Sequence, residues 1–229
     1  MSNLPPMGSI SDEDLIIIYD GGVMIENETI IGVGKFHEIK KECNNINEID
    51  FPCVLLPGFI DCHTHICYAG SRSIEYSKKN AGVSYQKILA EGGGIYDTME
   101  KTRLASDEEL IKNTISRLER HFFEGVLTCE IKSGYGIDFD QEIRLLKIIN
   151  EINLNHPSDV ISTCLAAHVP PNDSKTSTAE YLTLIVKELF PILRKENLTN
   201  RIDVFIENNA FQKEESKSYL KFAKENDFD

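Results

Sequence analysis

The sequence predicts a parallel α/β fold, arranged as the first half of a (β/α)8 barrel preceded by part of a small β subdomain. Three observations lead there. Apolar strand-like runs at 53–61, 126–131, 159–166 and 202–206 alternate with segments of helical periodicity, the pattern of βα units on a parallel sheet. Chemically distinctive residues follow the strand ends: His63 and His65, then Lys132-Ser133-Gly134-Tyr135-Gly136, then His168, then Glu207. That is where a (β/α)8 barrel places its chemistry. The number of units is the third observation: the four strand–helix units of this chain are half of what a closed barrel needs.

Before residue 52 the pattern is different. Leu15–Tyr19, Gly22–Glu26 and Thr29–Val33 read as three short strands, the last two separated by Asn27-Glu28. So little sheet does not stand alone, so residues 1–52 are expected to be part of a small β subdomain and 53–229 the barrel units. Residues 35–48 are polar and read as a short helix or loop. Helix starts are marked by capping-box patterns at Ser106–Glu109 and Ser177–Glu180. Leu110, Ile111, Ile115, Leu118 and Phe122 follow the first at helical spacing, and Leu182, Ile185, Val186 and Leu189 the second. Further helices are expected after Asp140 and around 213–226.

The 229 residues contain 41% hydrophobic and 27% charged residues, an ordinary globular composition. A formal net charge of −13 argues against nucleic acid, since phosphate binding needs a basic footprint. No apolar run approaches the ~20 residues that span a bilayer. Residues 1–6 lack the charged start and apolar core of a signal peptide, so a cytoplasmic enzyme-sized protein is expected. The six cysteines, at 43, 53, 62, 67, 129 and 164, show no Cys-x-x-Cys spacing. They are expected to be reduced, mostly as small apolar fillers of strands.

His63-Thr64-His65 ends the first strand of the alternating region. Alternate strand residues share a face, so both imidazoles can reach one cation while Thr64 turns away. Cys62 faces away from them, and Cys67 falls beyond the strand end. Two imidazoles are half of a site, because catalytic zinc normally has about three protein ligands and a water. The long connection from Ile66 to Ala105 is expected to cover that site. Within it Arg72 offers a planar fork for a carboxylate, although a lone loop arginine reads as readily as a solvated charge. Tyr135 sits between two glycines where a sharp turn would present its hydroxyl, or where it simply packs. A lone histidine at a strand end, as His168 is, is more often structural than catalytic. Glu207 reads equally as a site neighbour or a strand end, and His37, His121 and His156 read as surface residues.

Taken together, these pieces resemble a known family. Pro57-Gly58-Phe59-Ile60-Asp61-Cys62-His63-Thr64-His65 resembles the opening metal motif of the amidohydrolase superfamily. Ala69–Arg72, Glu91–Ile95, Glu130–Gly136 and Ala167–Pro171 are similar, in order and separation, to the imidazolonepropionase family. The resemblance runs from about residue 15 to the end. It implies an amidohydrolase (β/α)8 barrel with a small β-sandwich subdomain. It further implies a metal-dependent hydrolase that opens the ring of 4-imidazolone-5-propanoate to N-formimidoyl-L-glutamate in histidine degradation. His63 and His65 would be metal ligands for one Zn²⁺ or Fe³⁺. Arg72, Tyr135 and His168 would bind the carboxylate-bearing substrate; Glu207, read from its position alone, either bonds behind that site or simply ends its strand. The family's third metal histidine, acid/base glutamate and metal aspartate would fall beyond Asp229, so the 229 residues alone are expected to be inactive. A homodimer is expected of the full-length enzyme. Two other readings stay open: another cyclic amidohydrolase or deaminase on the same scaffold, and a non-catalytic half-barrel that associates with itself or a complementary chain.

Overall fold

The computed structural model describes residues 11, 14, 16–84, 87–88, 91–136, 138–171, 176–207 and 210–229. Leu15 and residues 1–6, both used above, lie outside these. The chain divides into two compact units, Met1–Pro57 and Gly58–Asp229.

In the first unit, β1 (Gly21–Glu26) and β2 (Thr29–Lys35) form an antiparallel hairpin followed by the short helix α1 (Phe36–Ile39). Asn27 and Glu28 both have positive φ, 48° and 64°, as a two-residue turn of the kind that matches strand twist requires. Among the described residues of the strand expected at 15–19, Ile16–Ile18 carry no strand pairing. There the chain turns at Tyr19-Asp20, with Asp20 at φ 49°, and the Asp20 carbonyl accepts from Phe36 N instead of from a strand.

The second unit is a four-stranded parallel sheet in the order β3-β4-β5-β6: Phe59–Thr64, Val126–Lys132, Asp159–Ala167 and Ile202–Val204. The sheet curls as a partial (β/α) barrel. β3 starts later than the expected 53. Residues 52–58 pair with no strand, and Pro52 and Pro57 lack the N–H that pairing uses. Pairing begins where Phe59 N donates to Gly125 O at 2.8 Å. Just before it, a Cβ on Gly58 would stand 2.5 Å from Leu127, so only glycine admits the two strands at that distance.

Helices follow the strands as the periodicity predicts. After β3 come α2 (Ser73–Asn80), α3 (Ile95–Leu104) and α4 (Asp107–Phe123). Ser106 caps α4 by accepting from Glu109 N, and Leu110, Thr114 and Leu118 form its buried stripe at i, i+4, i+8. α5 (Phe139–Asn155) is capped by Asp138. After β5, α6 (Thr178–Leu184) has the complete Ser177–Glu180 capping box. It runs through a π turn, Ile185–Leu189, into α7 (Phe190–Lys195). Pro191 explains the π turn: it cannot donate to the residue four before it, and the wider turn accommodates the gap. α8 (Lys213–Glu225) closes the sequence.

The helix-facing side of the sheet holds the core. Cys129, Ile131 and Val160 pack with Leu110, Leu118, Leu145, Ile149 and Ile152. Cys164, Ala166 and Ile202 pack with Ile185, Leu189, Phe190 and Tyr219. Strand alternation therefore puts Glu130, Lys132, Thr163, Leu165 and Asp203 on the opposite, inner face. Among the described residues, no helix is long and apolar enough to cross a membrane.

Candidate active site

Thr64 decides which way the two histidines face. It is buried, and its hydroxyl donates to the Glu130 carbonyl at 2.6 Å and lies 3.7 Å from Cys129 Sγ. With Thr64 locked toward the helices, His63 and His65 fall on the inner face, their ring centroids 5.3 Å apart. Cys67 belongs to the core instead, and burial pushes its thiol up to about 11, which disfavours a thiolate ligand. Cys62 is exposed, and so is Cys53, against the expectation of a strand filler.

Two strand ends converge on His65, and a third reaches His168 beside it. The His168 ring, just beyond β5, stacks on it at 5.1 Å and 27°. Tyr135, in the turn after β4, has its ring 6.0 Å from His65 and 5.8 Å from His168. Phe205, after β6, meets His168 edge-on at 5.8 Å. Tyr68, from the long connection after β3, reaches Tyr135 at 6.0 Å. Arg117 anchors that connection: its guanidinium lies 3.7 Å over the Tyr68 ring and donates to the Ile66 and Tyr68 carbonyls at 2.7 Å.

Partial burial sets the electrostatics of these side chains. Burial, then the neighbouring His168, His63 and Lys132, lower the His65 pKa to about 4. Burial lowers His168 as well and raises Tyr135, with Arg72 opposing the latter. At neutral pH both rings are neutral and the phenol keeps its proton. His168 Nδ1 lies 2.8 Å from the Gly134 carbonyl. A carbonyl only accepts, so Nδ1 carries the hydrogen and Nε2 is left with the lone pair.

His65 Nδ1 is buried and, among the described residues, has no hydrogen-bond partner. An unpartnered, neutral imidazole beside a second one suits a zinc or iron ion. Among the described residues no group of three or more His, Cys, Asp or Glu gathers to hold a metal. The donor set therefore fits the group as a half-site of two ligands.

Arg72 sits at the amino end of α2, where its Nε donates to Glu75 at 3.0 Å. Glu75 also accepts from Gly94 N at 2.7 Å, which ties the Gly92-Gly93-Gly94 turn to the arginine. Glu207 is exposed beyond β6, and its carbonyl accepts from Ala210 N. Two of the histidines read as surface residues are half-buried and partnered. His121 Nε2 faces Asp61 at 3.6 Å, and His156 Nδ1 accepts from Ser158 N.

The inner face carries further groups to which the sequence alone assigns no role. Lys132 is buried and its ammonium bridges Glu130 at 2.6 Å and Asp203 at 2.9 Å, tying β4 to β6 across β5. Glu130 Oε2 and Thr163 Oγ1 are buried there without a partner among the described residues. Two charged residues at i and i+2 on an otherwise apolar strand were the available signal, since one face must then be polar. Glu142, on α5, had no such signal.

An open inner sheet face with neutral imidazoles, a phenol and a guanidinium gathered at successive strand ends defines an enzyme-like α/β protein of the barrel kind. The curated relatives give this class a particular member: over 175 residues the chain is 44% identical to the imidazolonepropionase of Streptococcus pyogenes serotype M49 (strain NZ131). The proteins of that name from serotypes M3 (strain SSI-1) and M1 match to the same extent. The match takes in 76% of this chain and 42% of each relative, so the chain is a homologue of part of imidazolonepropionase and spans less than half its length. No family model matches the chain.

Proposed function

We propose that the chain is the metal-binding half of an imidazolonepropionase. It would carry the opening strands of an amidohydrolase (β/α)8 barrel and part of its small β-sandwich, acting in the cytoplasm in histidine degradation. The observation that carries this reading is the convergence of His63, His65, Tyr135 and His168 on one inner face, within a segment 44% identical to proteins of that name. The substrate would be 4-imidazolone-5-propanoate and the product N-formimidoyl-L-glutamate. The proposal includes one Zn²⁺ or Fe³⁺ at His63 and His65, no nucleic-acid or membrane partner, and a homodimer for the full-length enzyme.

His63 and His65 would hold the metal, which would supply hydroxide at neutral pH by lowering the pKa of its water toward ~7. The remaining work falls to the side chains. Burial keeps His65 neutral, so its lone pair is available without first losing a proton. Arg72 presents a guanidinium to the propanoate carboxylate, for which it would exchange its bond to Glu75. Tyr135, whose burial holds the proton on the phenol, donates to an oxygen of the ring. His168 accepts at Nε2 from a ring N–H, because its Nδ1–H is committed to the Gly134 carbonyl. Two protein ligands are fewer than a catalytic zinc site uses, so these residues by themselves would bind metal weakly and turn over no substrate.

The Arg72–Glu75 ion pair favours a second reading, in which Arg72 is structural and the site serves another cyclic amide or a deamination. The open inner face is also compatible with a half-barrel that works only by association. The test is loss of imidazolonepropanoate with Zn²⁺ or iron. It compares this chain with the same chain joined to the part of a Streptococcus pyogenes relative that it does not match. Activity only in the joined form supports the proposal, and activity in neither overturns the substrate assignment.

A further inference from the structure

Glu142 is completely buried on the first turns of α5, and no basic side chain among the described residues pairs with it. A buried carboxylate without a cation is expensive unless hydrogen bonds surround it. They do. Oε1 accepts from Gly136 N at 2.7 Å, and both oxygens accept from Gly134 N, Oε1 at 3.1 Å and Oε2 at 2.9 Å. Ser133 Oγ, at the start of the same segment, accepts from Leu165 N of β5 at 3.0 Å. One carboxylate thus gathers the N–H groups of Gly134 and Gly136 after β4, while Ser133 beside them bonds to the neighbouring strand.

The turn is built around that carboxylate. Gly134 has φ +87°, and a Cβ there would stand 2.9 Å from His168 Nδ1. A Cβ on Gly136 would stand 2.6 Å from Glu142 N and 2.7 Å from its Oε1. Between the two glycines sits Tyr135, and the Gly134 carbonyl receives His168 Nδ1–H.

We propose that Glu142 is a positioning residue for Tyr135 and His168: by drawing the N–H groups of Gly134 and Gly136 into one turn, it projects the phenol and aims the Gly134 carbonyl at His168, holding that ring in its Nδ1–H form with Nε2 as acceptor. The roles of Tyr135 and His168 rest on the function proposed above, while the geometric claim is tested without substrate.

The experiment is ¹⁵N NMR of the metal-free 229-residue protein near neutral pH, labelled at histidine and glycine. The wild type is expected to show His168 with a protonated Nδ1 and an unprotonated Nε2, and slowly exchanging Gly134 and Gly136 amides. In folded Glu142→Gln, which loses one acceptor oxygen, both amides should exchange at least tenfold faster and the two His168 nitrogens should move toward averaged positions. If Glu142→Gln does not fold, Gly136→Ala, whose methyl displaces the turn from the carboxylate, takes the same reading and should show the same averaging. A wild-type His168 protonated at Nε2 overturns the proposal. So does an unchanged Nδ1–H tautomer in whichever variant folds. Failure of the joined enzyme to consume imidazolonepropanoate would instead remove the functional reading and leave the tautomer result intact.

Discussion

Thr64 donates to the Glu130 carbonyl at 2.6 Å from the face of β3 opposite the two imidazoles. That bond couples β3 to β4 and sets the orientation of His63 and His65 together. Thr64→Val keeps the shape but leaves the carbonyl without the hydroxyl. The expected loss is about 1–2 kcal/mol, read as a lower urea midpoint at unchanged m-value. Zinc affinity should fall with it, because the ligands lose the support that fixes their direction.

Lys132 is the second structural commitment of the inner face. Burial works against its charge, but the bonds to Glu130 and Asp203 outweigh that and hold its pKa above the ordinary value. The stabilisation is complete below the unfolded lysine pKa of roughly 10.4 and is lost as pH rises through the higher folded value. Urea unfolding should therefore become easier only in that alkaline range. Lys132→Met leaves Glu130 buried without its cation. A loss of about 3 kcal/mol is expected, at the low end of the range for broken buried pairs because Asp203 is part-exposed. Adding Glu130→Gln should recover part of it, a coupling that a double-mutant cycle measures.

His65 predicts the acid limb of stability in the metal-free chain. Its pKa is about 4 when folded against an ordinary 6.5. Between those values the unfolded chain takes up a proton that the folded chain refuses, so stability falls as pH drops from 6.5 toward 4. Above 6.5 the ring is neutral in both states and contributes nothing. Replacing it, His65→Gln, should flatten the thermal midpoint across that window, and an unchanged slope would assign the acid loss to other groups.

Arg72 separates the carboxylate-binding reading from the structural one. In the joined enzyme, Arg72→Ala should reduce kcat/KM for imidazolonepropanoate about 10- to 100-fold, the value of one charge-assisted bond. An uncharged ring analogue should be affected much less. Equal losses for both would mean that the arginine serves Glu75 and the Gly94 turn rather than the substrate.

Much of this arrangement was legible in the sequence because it depends on period and position. Alternation along Phe59–His65 placed both imidazoles on one face, and capping residues such as Ser106 and Ser177 marked the helix starts. The boundaries were less legible. Apolar content at 53–58 reads as strand, but pairing waits for Gly125, and no local signal reports where a partner begins. At Ile16–Ile18 β-branched residues favour a strand that finds no partner, which shows how far β propensity depends on context. Lys132, Asp203 and Glu142 escaped for a related reason: their roles exist only once β4, β5, β6 and α5 are side by side. The sequence places Lys132 and Asp203 about seventy residues apart, a separation that periodicity does not bridge.

The central claim is that His63 and His65 form half of a hydrolytic metal site. Its most direct measurement is loss of 4-imidazolone-5-propanoate in the presence of Zn²⁺ by the joined enzyme, with wild-type His63 and His65 and with both replaced by alanine. Turnover in the wild type, with bound zinc and turnover both abolished in the double variant, is the predicted result. Undiminished turnover in the double variant would contradict it.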